Sequence, residues 1–203
     1  NRTKRLAIID QDGANVQYLT NGSKFGVDIG GFANPDVEAV YKSYAVVPAS
    51  EAREDDRYRI YAADGTVESE RTVEVFMKDP ADVTFALPDE FIASFNVDQS
   101  SYFAASMTFE DFPNATEYSL QLSHSEGILK VTAERAWFDD LNTIHTLTVP
   151  DLSGAPGFQE SYAPPANAQG VSATGAAIGR EETATRSART TSTTSSTLPL
   201  VGF

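Results

Sequence analysis

The residues of this sequence that we consider for acid–base chemistry are its two histidines and three pairs of identical adjacent carboxylates. The triplet Ser123-His124-Ser125 resembles part of a hydrolase site. However, no G-x-S-x-G nucleophile elbow accompanies it. We therefore predict that His124 lies on the surface of a strand and that His145 lies on the solvated face of its own strand.

The carboxylate pairs could serve glycoside hydrolysis only if two carboxyl groups faced each other across a cleft. Adjacent residues on a strand point to opposite faces, so we interpret the pairs as solvated loop charge. A hydrolase that uses Asp139 or Asp140 with His145 is a distant alternative. The three pairs are Asp55-Asp56, Asp139-Asp140 and Glu181-Glu182.

Metal and cofactor signals are weak. The segment DQDGAN, from Asp10 to Asn15, has aspartates at two alternating positions but lacks the other ligands and the terminal glutamate of a calcium loop, so a weak surface calcium site is a distant alternative. The sequence has no cysteine, which excludes disulfides, thiolate chemistry and cysteine-based zinc sites. No glycine loop carries the Lys and Ser/Thr that a phosphate site needs. We predict no catalytic residue, no metal and no cofactor, and a protein that is not an enzyme.

The elements around these residues are short strands between Ala105 and Leu152, separated by turn residues. Apolar residues alternate with polar ones, which is typical of strands with one buried face. Trp137, the only tryptophan, is predicted to be a large core residue. The predicted inward residues are Met107, Phe109, Tyr118, Leu120, Leu122, Leu129, Val131, Ala133, Leu147 and Val149.

Several such strands at short spacing predict a mainly β fold, an antiparallel β-sandwich. We assign residues 1–80 to a hairpin-rich β region, residues 81–179 to the sandwich and residues 180–203 to an extended C-terminal arm. The boundary is placed at Asp79-Pro80, because the residue before a proline is driven to extended geometry.

Three local elements are predicted in residues 1–80. One hairpin joins Leu6–Ile9 to Asn15–Thr20 through Asp12-Gly13, a strong turn signal. A second hairpin runs from Tyr58 to Met77 and turns at Asp64-Gly65. Between them, Asn34 as cap and Pro35 at the first helical position predict a short helix near residues 35–42.

Two stretches resemble known families. The string KRLAIIDQDGANVQYLT, residues 4–20, resembles a strand pair of the TolB-type β-propeller repeat, from a periplasmic component of an envelope system. No series of such repeats follows, so we expect a single propeller-like hairpin. The strings FPNATEYSLQL and TLTVPDLSG, within residues 81–179, resemble bacterial fibronectin-type-III-like domains. That resemblance implies a spacer or adhesive module.

Composition restricts the partners and the compartment. The net charge of −14 argues against nucleic acid and against an anionic membrane surface. No apolar stretch is long enough for a membrane helix, so no membrane insertion is expected. The lack of cysteine, together with a start at Asn1 that we interpret as a processed form, favours a periplasmic, cell-surface or extracellular location.

The end of the sequence, EETATRSARTTSTTSSTLPLVGF, is of low complexity and rich in Ser and Thr. We expect it to be held by other protein subunits or by copies of the same chain, through strand addition to a sheet edge. Packing on its own domain is the alternative. The predicted partner-binding residues are Leu198, Pro199, Leu200, Val201 and Phe203.

The absence of a catalytic set and the expected arm favour a non-catalytic structural or accessory subunit of an envelope, surface, appendage or virion assembly. The alternative is a secreted carbohydrate- or ligand-binding module, which a glycan-binding screen would distinguish.

Overall fold

A computed structural model describes residues 3–9, 13–20, 25–33, 39–66, 68–98, 104–125, 127–139, 143–150, 154–157, 159 and 171–198. For residues 3–9, 13–16, 25–33, 39–43, 85, 98 and 104 the description covers the backbone alone. The described residues form fourteen strands and one 3-10 turn, Arg135–Trp137. The strands are β1 Thr3–Ile9, β2 Gly13–Thr20, β3 Phe25–Ala33, β4 Ala39–Ala45, β5 Arg57–Gly65, β6 Ser69–Met77, β7 Val83–Ala86, β8 Ala93–Asp98, β9 Ala104–Glu110, β10 Glu117–His124, β11 Gly127–Glu134, β12 Ile144–Thr148, β13 Val171–Glu182 and β14 Arg186–Leu198.

The chain forms two compact units. The first comprises Asn1–Thr66, Glu70–Asp89 and Arg180–Thr191. The second comprises Val67–Ser69, Glu90–Gly179 and Ser192–Phe203.

The first unit is built from two sheets. One has the order β4-β1-β7, with β1 antiparallel to β4 and parallel to β7. The other has the order β14-β6-β5-β2-β3, in which β5 is antiparallel to both β2 and β6. Residues from both sheets share one hydrophobic core, so this unit is a two-layer sandwich.

Alternation along β5 and β6 explains that core. Tyr58, Ile60 and Ala62 face inward on β5. They pair directly with Met77, Val75 and Val73 of β6, which are also buried. The hairpin predicted from Tyr58 to Met77 is confirmed, and Gly65 at its turn has a positive φ of 127°, a conformation that glycine adopts without steric cost.

The second unit has a sheet of order β11-β10-β13-β14 and a sheet of order β12-β9-β8. β10 pairs antiparallel with β11 and β13, and β9 with β12 and β8. The core side chains come from both layers. They are Phe91, Ala105, Met107, Phe109, Tyr118, Leu120, Leu122, Leu147, Val149, Val171, Ala173, Ala177 and Leu198.

The mainly β sandwich with antiparallel sheets that the sequence predicts is therefore confirmed. The predicted alternation in the central run is confirmed as well. Met107, Phe109, Tyr118, Leu120 and Leu122 are all buried.

The predicted N-terminal hairpin is wrong. β1 pairs with β4 and β7, whereas β2 pairs with β3 and β5 in the other sheet. An Asp-Gly turn signal favours a reversal of the chain, but it does not choose the strand that each segment pairs with. The turn residues 10–12 lie outside the described residues.

The predicted helix near residues 35–42 is also wrong where the structure describes it. Residues 39–45 form β4, paired along its length with β1, and residues 34–38 lie outside the described part. A helix of two turns is marginal by itself. The β-branched and aromatic residues of this segment fit a strand, and pairing with β1 satisfies its backbone.

The C-terminal arm is not a separate tail in the described residues. Residues 186–198 form β14, and residues 180–191 and 192–198 belong to different units. Ser192 is fully buried, and its Oγ accepts a hydrogen bond of 2.8 Å from the Phe91 backbone N–H. The division between the units also falls at Asp89–Glu90 rather than at Asp79-Pro80.

Gly175 on β13 provides a test of how closely the two layers of the second unit pack. A Cβ there would overlap Met107 Sδ and approach ring atoms of Phe95 and Phe91 at 3.3 and 3.4 Å. We expect Gly175→Ala to lower the free energy of unfolding by about 1–3 kcal/mol through overpacking. Gly154→Ala, with nothing within 4 Å of the new Cβ, should change it by less than about 0.5 kcal/mol. Urea unfolding measures both, and equal effects would contradict this packing.

The buried tyrosines of the first unit predict that the free energy of unfolding falls at alkaline pH. Burial raises the pKa of Tyr44 to about 12. Burial, followed by the hydrogen bond to Asp56, raises the pKa of Tyr18. Because unfolded tyrosine titrates near about 10, the unfolded chain releases these protons first. The contribution of these tyrosines to stability should be constant below about pH 10 and fall as the pH rises toward about 12. Urea unfolding across this range checks the slope, and a flat profile would contradict it.

Candidate functional site

The 3-10 turn Arg135–Trp137 organises the most distinctive surface of the second unit. It follows β11 directly, and the Arg135 backbone N–H donates to the Thr116 carbonyl at 2.8 Å. The turn closes with the Phe138 N–H donating to the Arg135 carbonyl at 3.1 Å. These bonds interrupt the period of two, so successive side chains no longer continue the faces of β11.

Trp137 lies outside the core, so its predicted core position is wrong. Trp137 is 79% exposed. The neighbouring Phe138 turns inward instead. Its ring packs edge-on against Phe109 at 5.5 Å and Tyr118 at 5.6 Å between centroids. The 3-10 turn thus places Phe138 in the aromatic core and directs Trp137 to solvent.

His145 is buried, so its predicted solvated position is also wrong. It is only 4% exposed and lies 5.0 Å from the Phe138 ring and 5.8 Å from the Phe109 ring, between centroids. Its Nε2 lies 3.1 Å from Asp111 Oδ1 without an aligned hydrogen bond. His145 has the same parity as Leu147 along β12, and this signal places it on the inward face.

Asp111 is the centre of a polar cluster at the rim of this aromatic core. Its Oδ2 accepts from Arg135 Nη2 at 2.5 Å, and its Oδ1 accepts from the Tyr118 hydroxyl at 3.3 Å. The same hydroxyl accepts from the Phe112 backbone N–H at 2.9 Å. Burial raises the pKa of Tyr118; the hydrogen bond from Phe112 opposes this rise, and the Asp111 carboxylate adds to it. The cluster fixes Arg135 and thereby the 3-10 turn.

An open groove of about 780 Å³ lies between the end of β11, the 3-10 turn and β12. Its floor is apolar and its rims carry hydroxyl groups. We call it the Trp137 groove. It is lined by Val131, Thr132, Ala133, Glu134, Ala136, Trp137, Thr146, Leu147, Thr148 and Pro150.

The groove exists because two sheet edges meet there. Among the described residues, β11 is the last strand of its sheet and β12 the last of its own. Val131 and Ala133 point toward the core but are only half-buried, whereas Leu120 and Leu122 on the neighbouring β10 are fully buried. The opposing layer therefore covers β10 fully and β11 only in part.

One end of the groove is acidic. Glu134 lines it and stands directly opposite Glu117 in the β10–β11 register. The lining of the groove can bind an apolar or aromatic ligand.

The other predicted residues are dispersed. Asp55 is exposed, but Asp56 is 4% exposed and accepts from the Tyr18 hydroxyl at 2.8 Å, so its interpretation as solvated charge is wrong. Asp139 is exposed, and Asp111 is the carboxylate beside His145. His124 is half-buried at the end of β10, and Glu181 and Glu182 are exposed.

Some predictions lie partly or wholly outside the described residues. Asp140 lies outside the described residues. The side chains of residues 10–15, the alternative calcium site, also lie outside them. Leu198 is buried in the core of the second unit, and its role as a partner contact stays a prediction. The other predicted partner-binding residues, Pro199, Leu200, Val201 and Phe203, lie outside the described part.

In the part of the chain that the structure describes, no three His, Asp or Glu residues are grouped to hold a metal ion. Among those same residues, no helix is long and apolar enough to cross a membrane.

Comparison with protein-family models, with curated protein sequences and with solved structures finds no match for this chain.

The adjacent residues Trp137 and Phe138 give a matched test of the 3-10 turn. We expect Trp137→Ala to change the free energy of unfolding by less than about 0.5 kcal/mol, because the side chain is in solvent. Phe138→Ala should cost about 2 kcal/mol or more, because it removes a ring packed against Phe109 and Tyr118. Urea unfolding of both variants measures the difference, and the reverse order would show that Trp137 belongs to the core.

Proposed function

We propose that this protein is a non-catalytic structural or accessory subunit of an envelope, surface, appendage or virion assembly. It acts in the periplasm, on the cell surface or outside the cell. It binds another protein subunit through the Trp137 groove of its second unit. The observation that carries the proposal is the exposed tryptophan beside β11 and β12, each the last strand of its sheet among the described residues.

The distribution of exposed apolar side chains supports this role. Among the described residues, the large hydrophobic side chains in solvent are Ile92, Ile128, Trp137 and Ile144, and all four belong to the second unit. Contiguous exposed apolar side chains mark interaction surfaces, and two of the four, Ile92 and Ile144, line one pocket. Tryptophan is the residue type most strongly enriched at the energetic centres of interfaces.

A secreted carbohydrate-binding module is the second candidate. The same exposed indole, with Thr132, Thr146 and Thr148 around it, offers an apolar face and hydroxyl groups, which a sugar ring could use. Saturable binding on a glycan array that Trp137→Ala abolishes would favour this candidate over the assembly subunit.

Site-specific photo-crosslinking tests the assembly role. A photoreactive phenylalanine analogue replaces Trp137 in cells that produce the protein. We expect one discrete protein adduct, because the groove holds a partner chain. The analogue at Ala52, an exposed residue of the first unit, is the matched control and should give none.

The proposal would be contradicted if no adduct formed at position 137 in cells in which the protein reaches its native location. An equal pattern of adducts at Ala52 would contradict it as well, because the second unit would then have no distinct role in assembly.

A further inference from the structure

We infer that another surface of the second unit, the Ile92–Ile144 pocket, binds a Lys or Arg side chain that projects from an apolar segment of a different protein. The pocket has a volume of about 490 Å³ and lies at one end of the sheet β12-β9-β8. It shares no lining residue with the Trp137 groove, so the inference goes beyond the proposed function. Its lining includes Glu90, Phe91, Ile92, Glu110, Phe112 and Ile144.

The alternation of side chains places three residues of the pocket in one row across the outer face of this sheet. Phe109 and His145 are buried, so the residues next to them on β9 and β12, Glu110 and Ile144, point outward. Glu110 and Ile144 are directly paired. On the other side of β9, the exposed Ile92 directly precedes β8, whose first residue pairs with Phe109. Glu110 therefore lies between two isoleucines.

The two isoleucines give the pocket an exposed apolar rim. Ile92 is 76% exposed and Ile144 is 59% exposed, although the ordinary place of a large aliphatic side chain is the core. Other lining residues are aromatic. Phe91 is buried and Phe112 is half-buried, and their ring centroids are 5.8 Å apart. Because the removal of apolar surface from water is favourable, a partner that covers both isoleucines gains free energy of binding.

Two carboxylates set the charge that such a partner must carry. Glu90 and Glu110 line the pocket and are both exposed. In the described part of the chain, neither side chain makes a hydrogen bond or an ion pair. The third carboxylate of the lining, Asp111, already contacts Arg135. A carboxylate that is covered by apolar groups alone loses its hydration without compensation, so the partner must bring a positive charge to Glu110.

A Lys or Arg side chain within an apolar segment supplies both properties. Its methylene stem packs on aliphatic groups while its charged head stays beside a carboxylate. The stem lies against Ile92 and Ile144 in this arrangement, the head lies at Glu110, and the neighbouring apolar residues of the segment cover the isoleucines on both sides. A different protein is the source, because each copy of this chain carries a net charge of −14 and two copies repel each other.

Two synthetic peptides test the pocket directly. Each has one central residue flanked by leucines. This residue is lysine in one peptide and Nε-acetyl-lysine, which keeps the stem and lacks the charge, in the other. Backbone amide chemical shifts of the isotope-labelled full chain measure binding. We expect saturable changes at Ile92, Glu110 and Ile144, with an affinity about fivefold higher for the lysine peptide at low salt. The difference should shrink as salt is added, and equal affinities at low salt would overturn the inference.

Glu110→Gln tests the charge with little change of shape. We expect it to lower the preference for the lysine peptide to about twofold or less, with Glu90 as the remaining charge. The control is Glu54→Gln, the same substitution at an exposed loop residue of the first unit, and it should leave the preference intact. The inference fails if the Glu110 variant keeps the full preference for lysine.

Ile144→Thr tests the apolar rim and keeps a β-branched residue on β12. Its matched control is Ile128→Thr on β11 of the same unit, where the side chain is also exposed. We expect the Ile144 variant to bind both peptides about fivefold more weakly, because apolar contact area is lost. The Ile128 variant should change the affinities by less than about twofold. Equal effects of the two substitutions would contradict the assigned pocket.

Two other results would overturn the inference and leave the proposed function standing. One is the absence of shift changes at the pocket with the lysine peptide at millimolar concentration. The other is concentration-dependent dimerisation in sedimentation experiments that Ile144→Thr abolishes, because the occupant would then be a second copy. The crosslink at position 137 tests the proposed function separately, since the two surfaces share no lining residue.

Discussion

The burial of one face of β10 is the interaction on which the second unit depends. Tyr118, Leu120 and Leu122 are all fully buried, and the direct register with β11 forces Ala133, Val131 and Leu129 onto the same side. Side chains alternate strictly along a strand, so β11 cannot turn these residues to solvent without a change of register. The apolar floor of the Trp137 groove is therefore a direct consequence of the core, which continues onto β11.

The alternation of apolar and polar residues predicted much of the fold, whereas the Asp-Gly turn at residues 12–13 did not predict which strands pair. Alternation placed Met107, Phe109 and the inward face of β10 correctly, because burial acts on each residue at its own position. The Asp12-Gly13 signal did not predict the partner of β1, which is β4 on one side and β7 on the other. Strand partners are chosen by long-range packing, and a short stretch of sequence does not contain that information.

The candidate site was less predictable than the fold. Parity with Leu147 is enough to place His145 inward, and this signal is present in the sequence. Trp137 is different, because three residues of 3-10 turn reset the alternation after β11, and nothing in the local composition announces such a reset. The contacts of Asp111 with Arg135 and His145 join positions separated by 24 residues or more. Only the assembled sandwich brings them together.

Strand β14 shows that a Ser/Thr-rich segment of low complexity can form an ordered strand. A strand needs backbone pairing and a face compatible with its surroundings, and small hydroxyl side chains are compatible with both. The Ser192 hydroxyl accepts the Phe91 N–H, and the hydroxyls of Thr174 and Ser195 are 2.9 Å apart. Its backbone also donates from Ser195 to the Glu68 carbonyl at 2.7 Å. Residues 192–198 are thus paired and hydrogen-bonded within the described part of their own unit, which is why the proposed partner contact is the Trp137 groove and not this strand.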